Sequence, residues 1–268
     1  MRTAQLLKEE EKLMQYKQKT ETADAHCHID LIQDSSIVND AIAYGVHTII
    51  TNGVDTKSNM KGMELADNKH IFAMLGIDPE HANVQDDELE FNIKLIRQYS
   101  SKIVGIGEIG LDYGIVKNSI PVEKQKHTFG AFLDLAKELR LPVSIHSRNA
   151  LDDVLHMLNE KTIDSAHIHF FEGNIQQAKE IEKNGYMISV PPVHSSKRSK
   201  VIKEIAIDNI MVESDAPVVG KSPKDIDISI RMVADVKKLE FEKAADILNQ
   251  NTKRFFRIHT KTMLMRYE

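Results

Sequence analysis

Short runs of apolar and β-branched residues alternate with longer stretches of helical periodicity from about residue 23 onward. Such runs between turn signals are typical of buried strands, whereas apolar positions spaced three and four apart indicate helices. Eight strands are predicted in this way, at residues 23–28, 46–51, 70–76, 102–107, 142–146, 166–171, 186–190 and 209–213. Strands that alternate with helices pair in parallel, and eight of them favour a closed barrel. The predicted fold class is therefore α/β, a (β/α)8 TIM barrel.

The clearest helix is predicted at residues 121–140. Its apolar residues form one stripe along the helix: Phe129, Phe132, Leu133, Ala136 and Leu139. The last helix is predicted at about residues 241–257, where the same spacing recurs. Ser222 and Pro223 suit the N-cap and first position of the helix between strand eight and this last one.

The chain of 268 residues fits one large domain, since α/β barrels run to about 250 residues. Residues 23–268 are predicted to form this barrel domain, and residues 1–22 an N-terminal helical extension. Spaced apolar residues such as Leu6, Leu13 and Met14 give that extension one helix face. Two interpretations stay open: the helix packs on the barrel, or it binds a partner.

Composition narrows the possible classes of protein. Apolar residues make up 41% of the chain, which is ample for a large core, and no apolar run approaches the roughly 20 residues of a membrane span. The N-terminus lacks the features of a secretory signal. The single cysteine, Cys27, fits a reducing interior, so a cytoplasmic location is expected. The net charge of −5 gives no general support for nucleic-acid binding, which must rest on a local site.

Residues that bind metals stand at the carboxyl ends of the predicted strands, where barrel enzymes carry their active sites. There are six of them: His26, His28, Glu108, His146, His169 and Asp215. Alternation along a strand places His26 and His28 on one side and Cys27, a predicted core residue, on the other. His167 and Glu213 share the sides of His169 and Asp215 in the same way. Six ligands exceed the need of one catalytic metal, and a binuclear centre bridged by a carboxylate uses them all.

Several segments together resemble the ordered signature of a known family. They are DAHCHID, GIGEIGLDY, LPVSIHSRNALDDVL, HFFEG, MVESDAPVV and NTKRFF. From about residue 23 to residue 257 the chain is similar to the TatD family of metal-dependent deoxyribonucleases, within the amidohydrolase superfamily. The resemblance implies a metal-dependent hydrolase that trims DNA from the 3′ end, with single strands or ends as substrate.

The resemblance also implies roles for the six residues. His26 and His28 would bind one metal ion with Asp215, and His146 and His169 would bind the second. Glu108 would bridge the two ions, and Asp215 would shuttle a proton, so these two are the expected catalytic residues. The cofactor is expected to be two divalent metal ions, with zinc, magnesium or manganese left open.

Two positions depart from the family pattern and concern the substrate. The family has Gly-x-His-Pro-His after strand three, where this chain has Asp78 in place of the first histidine; an anionic Asp78 would repel phosphate. Glu172 is a second acid near the predicted mouth. Three residues are expected to contact the substrate: Asp78, Arg148 and His194. Further candidate phosphate contacts are Ser195, beside His194, and a basic cluster after strand seven: Lys197, Arg198 and Lys200.

Two other functions stay open, as does the oligomeric state. In the first, the metals are kept and the bond changes to a carboxyl ester, lactone or amide, including aminoacyl-tRNA deacylation, since acids at the mouth suit a neutral or cationic substrate. The second is a non-catalytic metal-binding or scaffold protein that uses residues 1–22 for interaction. The complete set of six ligands speaks against the second alternative.

Overall fold

The structure, a computed structural model, describes residues 20–114 and 118–258. Eight parallel strands form one sheet in the order of the chain: β1 (Thr22–Cys27), β2 (Val46–Asn52), β3 (Ile71–Leu75), β4 (Gly105–Gly110), β5 (Val143–His146), β6 (Ala166–Ile168), β7 (Met187–Val190) and β8 (Ile210–Val212). The predicted (β/α)8 barrel is confirmed. The extension predicted at residues 1–22 lies outside the described residues except for residues 20–22, of which Thr22 begins β1.

Helices follow each strand within the described residues. They are α1 (Ser35–Tyr44), α2 (Thr56–Leu65), α3 (Asp86–Tyr99), α4 (Val122–Leu139), α5 (Leu151–Lys161), α6 (Ile175–Lys183), α7 (Ser196–Glu204), α8 (Ile226–Lys237) and α9 (Phe241–Phe255). The apolar stripe predicted at residues 121–140 is the buried face of α4. In the described part of the chain, no helix combines the length and the apolar character that crossing a membrane requires.

The barrel closes where β1 meets the segment after β8. The backbone N–H of Asp215 donates to the carbonyl oxygen of His26 at 3.0 Å, and that of His28 donates to Ala216 at 2.7 Å. Below them the carboxylate of Asp24 accepts hydrogen bonds from Ser214, from its N–H at 2.9 Å and its hydroxyl at 2.5 Å. The seam therefore brings two predicted ligands, His26 and Asp215, side by side.

The site lies above an apolar floor inside the barrel. Strand alternation puts Ile50, Met74 and Met211 on the inward side of their strands, where they belong to one buried cluster with Phe256, which follows α9. A larger cluster fills the space between the strands and the surrounding helices. Because both faces of each strand are covered, polar residues inside the barrel must be paired with one another.

Several strand boundaries differ from the sequence-based predictions. Strand β4 begins at Gly105 rather than at residue 102, because the N–H groups of Lys102 and Ile103 bond back to Tyr99 at the end of α3. Glu108 therefore lies within β4 and not after it. Strands β1, β6 and β8 end at Cys27, Ile168 and Val212, so that His28, His169 and Glu213 follow their strands directly.

The predicted cap at Ser222 is present but acts on a different helix type. Ser222 forms a capping box with Asp225 on a short 3-10 helix, Pro223–Asp225, and α8 follows that turn. The cap and proline chemistry was thus predicted correctly, while the turn that they begin is tighter than an α-helix.

We expect Asp24→Asn to change how stability depends on pH. Burial raises the pKa of Asp24 from 3.8 to about 8, against the opposing effect of its hydrogen bonds from Ser214. Between these values the folded chain holds a proton that the unfolded chain has released. Raising the pH therefore favours unfolding, by about 1.4 kcal/mol per pH unit from this group.

The measurement is urea unfolding with chelator between pH 4 and pH 8. Stability relative to wild type should rise with pH in Asp24→Asn, because the wild type loses this contribution and the variant does not. Asp164→Asn, at an exposed position, is the matched control and should keep the wild-type slope. Equal slopes in wild type and Asp24→Asn would contradict the assignment.

Candidate metal centre

Glycines allow the strands to approach closely around Glu108. A Cβ atom at Gly107 would lie 2.8 Å from the Cβ of Ser144 on β5, and one at Gly76 would lie 2.4 Å from the carbonyl oxygen of Glu108. Because neither residue has a side chain, β3 and β5 pack tightly beside this part of β4. The carboxylate of Glu108 is consequently held in the middle of the predicted ligands, with the residue 4% exposed.

One oxygen of Glu108 faces the ligands on the β1 and β8 side. Its Oε2 lies 3.2 Å from His26 Nε2 and 3.4 Å from His28 Nε2. The two Nε2 atoms are 3.3 Å apart, and His28 Nε2 is 3.5 Å from Asp215 Oδ1. The ligand atoms of His26, His28 and Glu108 thus lie close together, with Asp215 beside His28, and we call this group subsite 1.

The other oxygen of Glu108 faces the ligands on β5 and after β6. Its Oε1 lies 2.9 Å from His146 Nδ1 and 2.9 Å from His169 Nε2. These two nitrogens are 3.3 Å apart, and we call this group subsite 2. A single carboxylate therefore offers one oxygen to each subsite, which is the arrangement a bridging ligand requires.

The two groups fit divalent metal ions. Two donors at 2.0–2.2 Å from a tetrahedral ion lie roughly 3.4 Å apart, close to the separations in both subsites. The ligand atoms of His26, His28 and Glu108, and those of Glu108, His146 and His169, lie within 4.8 Å of one another. Buried imidazoles pointing lone pairs or protons at one another are costly without an ion between them. The chain therefore has the donor set for two metal ions.

Contacts on the far side of each ring orient the imidazoles. The second ring nitrogen of His28 lies 3.0 Å from the carbonyl oxygen of Asn52, and that of His26 lies 3.3 Å from Ser144 Oγ. For His146 the corresponding partner is Asp112 Oδ2 at 3.3 Å. Such partners fix the orientation of metal-binding histidines and are typical of metal sites.

His167, the alternative to His169, faces away from both subsites. Its Nδ1 lies 3.2 Å from Ser144 Oγ and its Nε2 lies 2.8 Å from Ser189 Oγ, so both ring nitrogens are occupied by hydroxyls. Alternation along β6 correctly placed His167 and His169 on one side of the strand, but not at the same depth in the barrel. Cys27 is a buried core residue, as predicted.

The charges of the two carboxylates follow from their surroundings. Burial acts to raise the pKa of Glu108, but the imidazoles of His169, His26 and His146 outweigh it and hold that pKa well below its usual range. Burial acts in the same direction on Asp215, and the hydrogen bond to His28 with the nearby imidazoles lowers its pKa overall. Both groups are therefore carboxylates at neutral pH, ready to bind cations.

A cavity of about 900 Å³ opens above the two subsites. Its walls include Asp78 and Arg148, two of the three predicted substrate contacts. The third, His194, is exposed on the loop between β7 and α7 and is not among the lining residues. Glu172 does line the cavity, as expected from its position after β6.

The cavity is also lined by charged residues that were not predicted from the sequence, and one predicted cation does not face it. Lys57, Lys61 and His81 line it, and none of them was predicted. Lys197 of the predicted basic cluster also lines it, whereas Arg198 is 6% exposed and donates to the backbone oxygens of Phe171 and Val193. Arg198 thus supports the loops rather than facing the cavity.

The negative charge of Asp78 is paired with the neighbouring side chain of His81. Its Oδ1 accepts hydrogen bonds from the N–H of His81 at 3.0 Å and lies 2.7 Å from His81 Nδ1. That hydrogen bond raises the pKa of His81, which favours the imidazolium. The signal in the sequence is Asp-Pro-Glu-His, in which Asp78 caps the short helix Pro79–His81 and brings His81 back to its carboxylate.

A two-subsite metal centre at the carboxyl end of a (β/α)8 barrel defines the class of the protein as metal-dependent hydrolases. Comparison with known proteins identifies the family within this class. The model of the TatD related DNases matches residues 23–257, and the chain belongs to that family.

Individual relatives agree with this assignment. The metal-dependent hydrolase YabD of Bacillus subtilis is 32% identical over 88% of this chain and 99% of its own length. Deoxyribonuclease TATDN3 of Homo sapiens is 27% identical, over 87% of this chain and 93% of its own. The crystal structure of the TatD homolog YjjV of Escherichia coli superimposes with a TM-score of 0.80 and 26% identity, covering 88% of this chain and 98% of that one.

Proposed function

We propose that this chain is a deoxyribonuclease that removes nucleotides from the 3′ ends of DNA, with single strands or ends as its substrate. The observation that carries the proposal is one carboxylate, Glu108, shared between two groups of metal ligands at the base of an open cavity. The name of the human relative as a deoxyribonuclease supports the choice of substrate. A cytoplasmic location remains an expectation from the sequence.

In this proposal the six predicted residues hold two divalent ions. His26, His28 and Asp215 serve subsite 1 and two histidines serve subsite 2, with Glu108 bridging. When bound, the ions supply an activated water nucleophile near neutral pH and positive charge for the scissile phosphate. Asp215, ionised and beside subsite 1, accepts the proton of the attacking water and passes it to the leaving 3′ oxygen.

The cationic residues around the cavity support a path for the DNA backbone. Lys57, Lys61, Arg148 and Lys197 line the cavity together with His81. Arg148 NH1 lies 3.6 Å from Asp112 Oδ2, so its guanidinium group is paired with a buried carboxylate while the side chain stays 39% exposed at the cavity wall. The Asp78–His81 pair removes the repulsion expected from Asp78 and presents an imidazole whose side chain is 43% exposed.

The experiment that tests the function is digestion of a 5′-labelled single-stranded DNA with added magnesium, manganese or zinc. We expect a ladder of products shortened from the 3′ end, which disappears in His146→Ala because subsite 2 loses a ligand. His156→Ala, an exposed histidine of α5 outside the cavity, is the control and should digest normally. Full activity in His146→Ala would refute the ligand set, and no cleavage in metal-loaded wild type would refute the substrate.

The alternative substrate is a carboxyl ester, lactone or amide. It is favoured by the acids that line the same cavity, among them Asp30, Glu80, Asp152 and Glu172, since these repel a polyanion. Turnover of a chromogenic phosphodiester is to be compared with that of a chromogenic carboxyl ester by the same metal-loaded protein. A preference for the ester would replace the deoxyribonuclease proposal and leave the metal centre unchanged.

We expect His81→Ala to raise KM for DNA about 10-fold while kcat changes little. The variant removes a cation that contacts backbone phosphate and leaves Asp78 unpaired in the cavity wall; a tenfold change corresponds to about 1.4 kcal/mol. The double variant Asp78→Asn with His81→Ala should recover part of this loss, because the unpaired charge is gone. An unchanged KM in His81→Ala, measured beside His156→Ala, would exclude His81 from the substrate path.

A further inference from the structure

A chain of buried hydrogen bonds runs beneath the metal centre from Glu213 to His26. Glu213 Oε2 lies 2.6 Å from Ser189 Oγ, and Ser189 Oγ lies 2.8 Å from His167 Nε2. His167 Nδ1 lies 3.2 Å from Ser144 Oγ, which lies 3.3 Å from His26 Nδ1. All five residues are 0% exposed, so their polar groups must be satisfied by other protein groups.

The direction of these hydrogen bonds is fixed at the Glu213 end. Glu213 accepts two hydrogen bonds: Oε1 accepts the N–H of Phe170 at 2.7 Å, and Oε2 accepts the hydroxyl of Ser189 at 2.6 Å. Since that hydroxyl has one proton, its oxygen accepts from His167, whose Nε2 consequently carries the hydrogen.

The tautomer of His167 determines the direction of the next hydrogen bond, the one to Ser144. This imidazole packs edge-on against Phe255 and Phe256, with ring centroids at 6.1 and 6.3 Å, and its two ring nitrogens lie against the hydroxyls of Ser144 and Ser189. An uncompensated charge is costly in such a place, so the ring is neutral and its Nδ1 is an acceptor. Ser144 donates to that nitrogen, and the oxygen of Ser144 is left to accept from His26 Nδ1.

We propose that Glu213 sets the tautomer of His26 through Ser189, His167 and Ser144. The chain holds His26 with its hydrogen on Nδ1, so that the lone pair of Nε2 points into subsite 1, 3.2 Å from Glu108 Oε2. Only an unprotonated nitrogen binds a metal ion, and the opposite tautomer would have to break a buried hydrogen bond first. Glu213, Ser189, His167 and Ser144 are thus positioning residues for the metal. The inference rests on the proposed ligand role of His26 and is independent of the substrate.

The same carboxylate also faces subsite 2. Glu213 Oε2 lies 3.7 Å from His169 Nδ1, so a change at Glu213 affects both subsites, whereas a change at Ser144 affects the branch to His26. A test of the chain therefore needs both positions. Glu213→Gln keeps the shape but adds donor hydrogens: the amide oxygen stays with the N–H of Phe170, and the NH₂ group donates to Ser189.

The first readout is the tautomer of His167 in ¹⁵N-histidine-labelled protein, read from long-range ¹H–¹⁵N couplings and assigned by its absence in His167→Gln. We expect the Nε2–H form in wild type, both metal-free and zinc-loaded, because Glu213 sets the direction before metal arrives. In metal-free Glu213→Gln we expect the Nδ1–H form, since the amide reverses the chain. An Nδ1–H form in wild type, or the same form in wild type and Glu213→Gln, would overturn the inference.

The second readout is zinc affinity, measured by competition with a chelator. Ser144→Ala and Glu213→Gln should each bind zinc about 10- to 100-fold more weakly than wild type. The matched control is Ser229→Ala, a buried serine of α8 whose hydroxyl donates to the backbone oxygen of Glu213 at 3.4 Å. Affinity in Ser144→Ala equal to that in Ser229→Ala would overturn the inference. Unchanged affinity in His26→Ala would instead refute the ligand role on which it rests.

Discussion

Replacing Glu108 by glutamine is expected to reduce hydrolysis by about 10³-fold or more and to lower the metal content of both subsites. The reason is that its two oxygens face different groups of ligands, Oε2 towards His26 and His28, and Oε1 towards His146 and His169. A glutamine keeps one neutral oxygen for one subsite and turns an NH₂ group towards the other. Losing several kcal/mol of charge stabilisation corresponds to at least this loss of rate.

The measurement combines metal content per chain with initial rates at saturating substrate. Glu80→Gln is the matched control, since this carboxylate lines the same cavity but is exposed and has no part in either subsite. It should retain two metal ions and most of the activity. If Glu108→Gln kept both ions, the bridging role would be wrong, even if the rate fell.

Replacing Asp215 by asparagine is expected to lower kcat by about 10² to 10⁴-fold, the range of general acid–base catalysis. Asp215 lies beside His28 with a left-handed backbone (φ 48°), which its N–H bond to His26 and the bond from Val219 to its carbonyl hold in place. Asparagine tolerates this conformation well, so the backbone should survive the change. The variant therefore loses the proton acceptor while keeping the geometry around it.

The pH dependence distinguishes a proton acceptor from a simple ligand. Because the pKa of Asp215 is lowered in the folded chain, wild type should lose no activity through this group until the pH falls below the usual aspartate range. The rate of Asp215→Asn should instead rise with pH, as hydroxide takes over from the missing base. A flat profile in the variant would exclude the proton-transfer role. Glu172→Gln, at an exposed position in the cavity wall, should follow the wild-type profile.

Local sequence patterns determined the fold and the chemical types of the metal ligands. Apolar runs of strand length, and the apolar stripe of α4, indicate which side chains of each segment are buried. The spacing of those buried positions distinguishes a strand from a helix. Residues at strand ends in a parallel barrel must meet at one mouth, so His146 and Asp215 could be assigned to one site from their positions alone.

Boundaries and depth depended on contacts that no local pattern contains. The carbonyl oxygen of Tyr99 at the end of α3 accepts the N–H groups of Lys102 and Ile103, so β4 begins only at Gly105. The strand then runs to Gly110 and includes Glu108. His167 and His169 look equivalent along the chain. In the structure, both ring nitrogens of His167 lie against serine hydroxyls of β5 and β7, whereas His169 Nε2 lies beside Glu108. His194 belongs to the right loop but lies away from the cavity.

The sequence by itself determined a metal-binding barrel, because ligand identity and strand periodicity are properties of neighbouring residues. Only the tertiary structure decided which oxygen of Glu108 faces which histidines, and that His81 offsets the charge of Asp78. It also decided that Glu213 reaches His26 through three intervening residues. These relations depend on strand register and on side chains from distant segments. Distances of a few tenths of an ångström between such groups are set by packing, which the order of residues does not record.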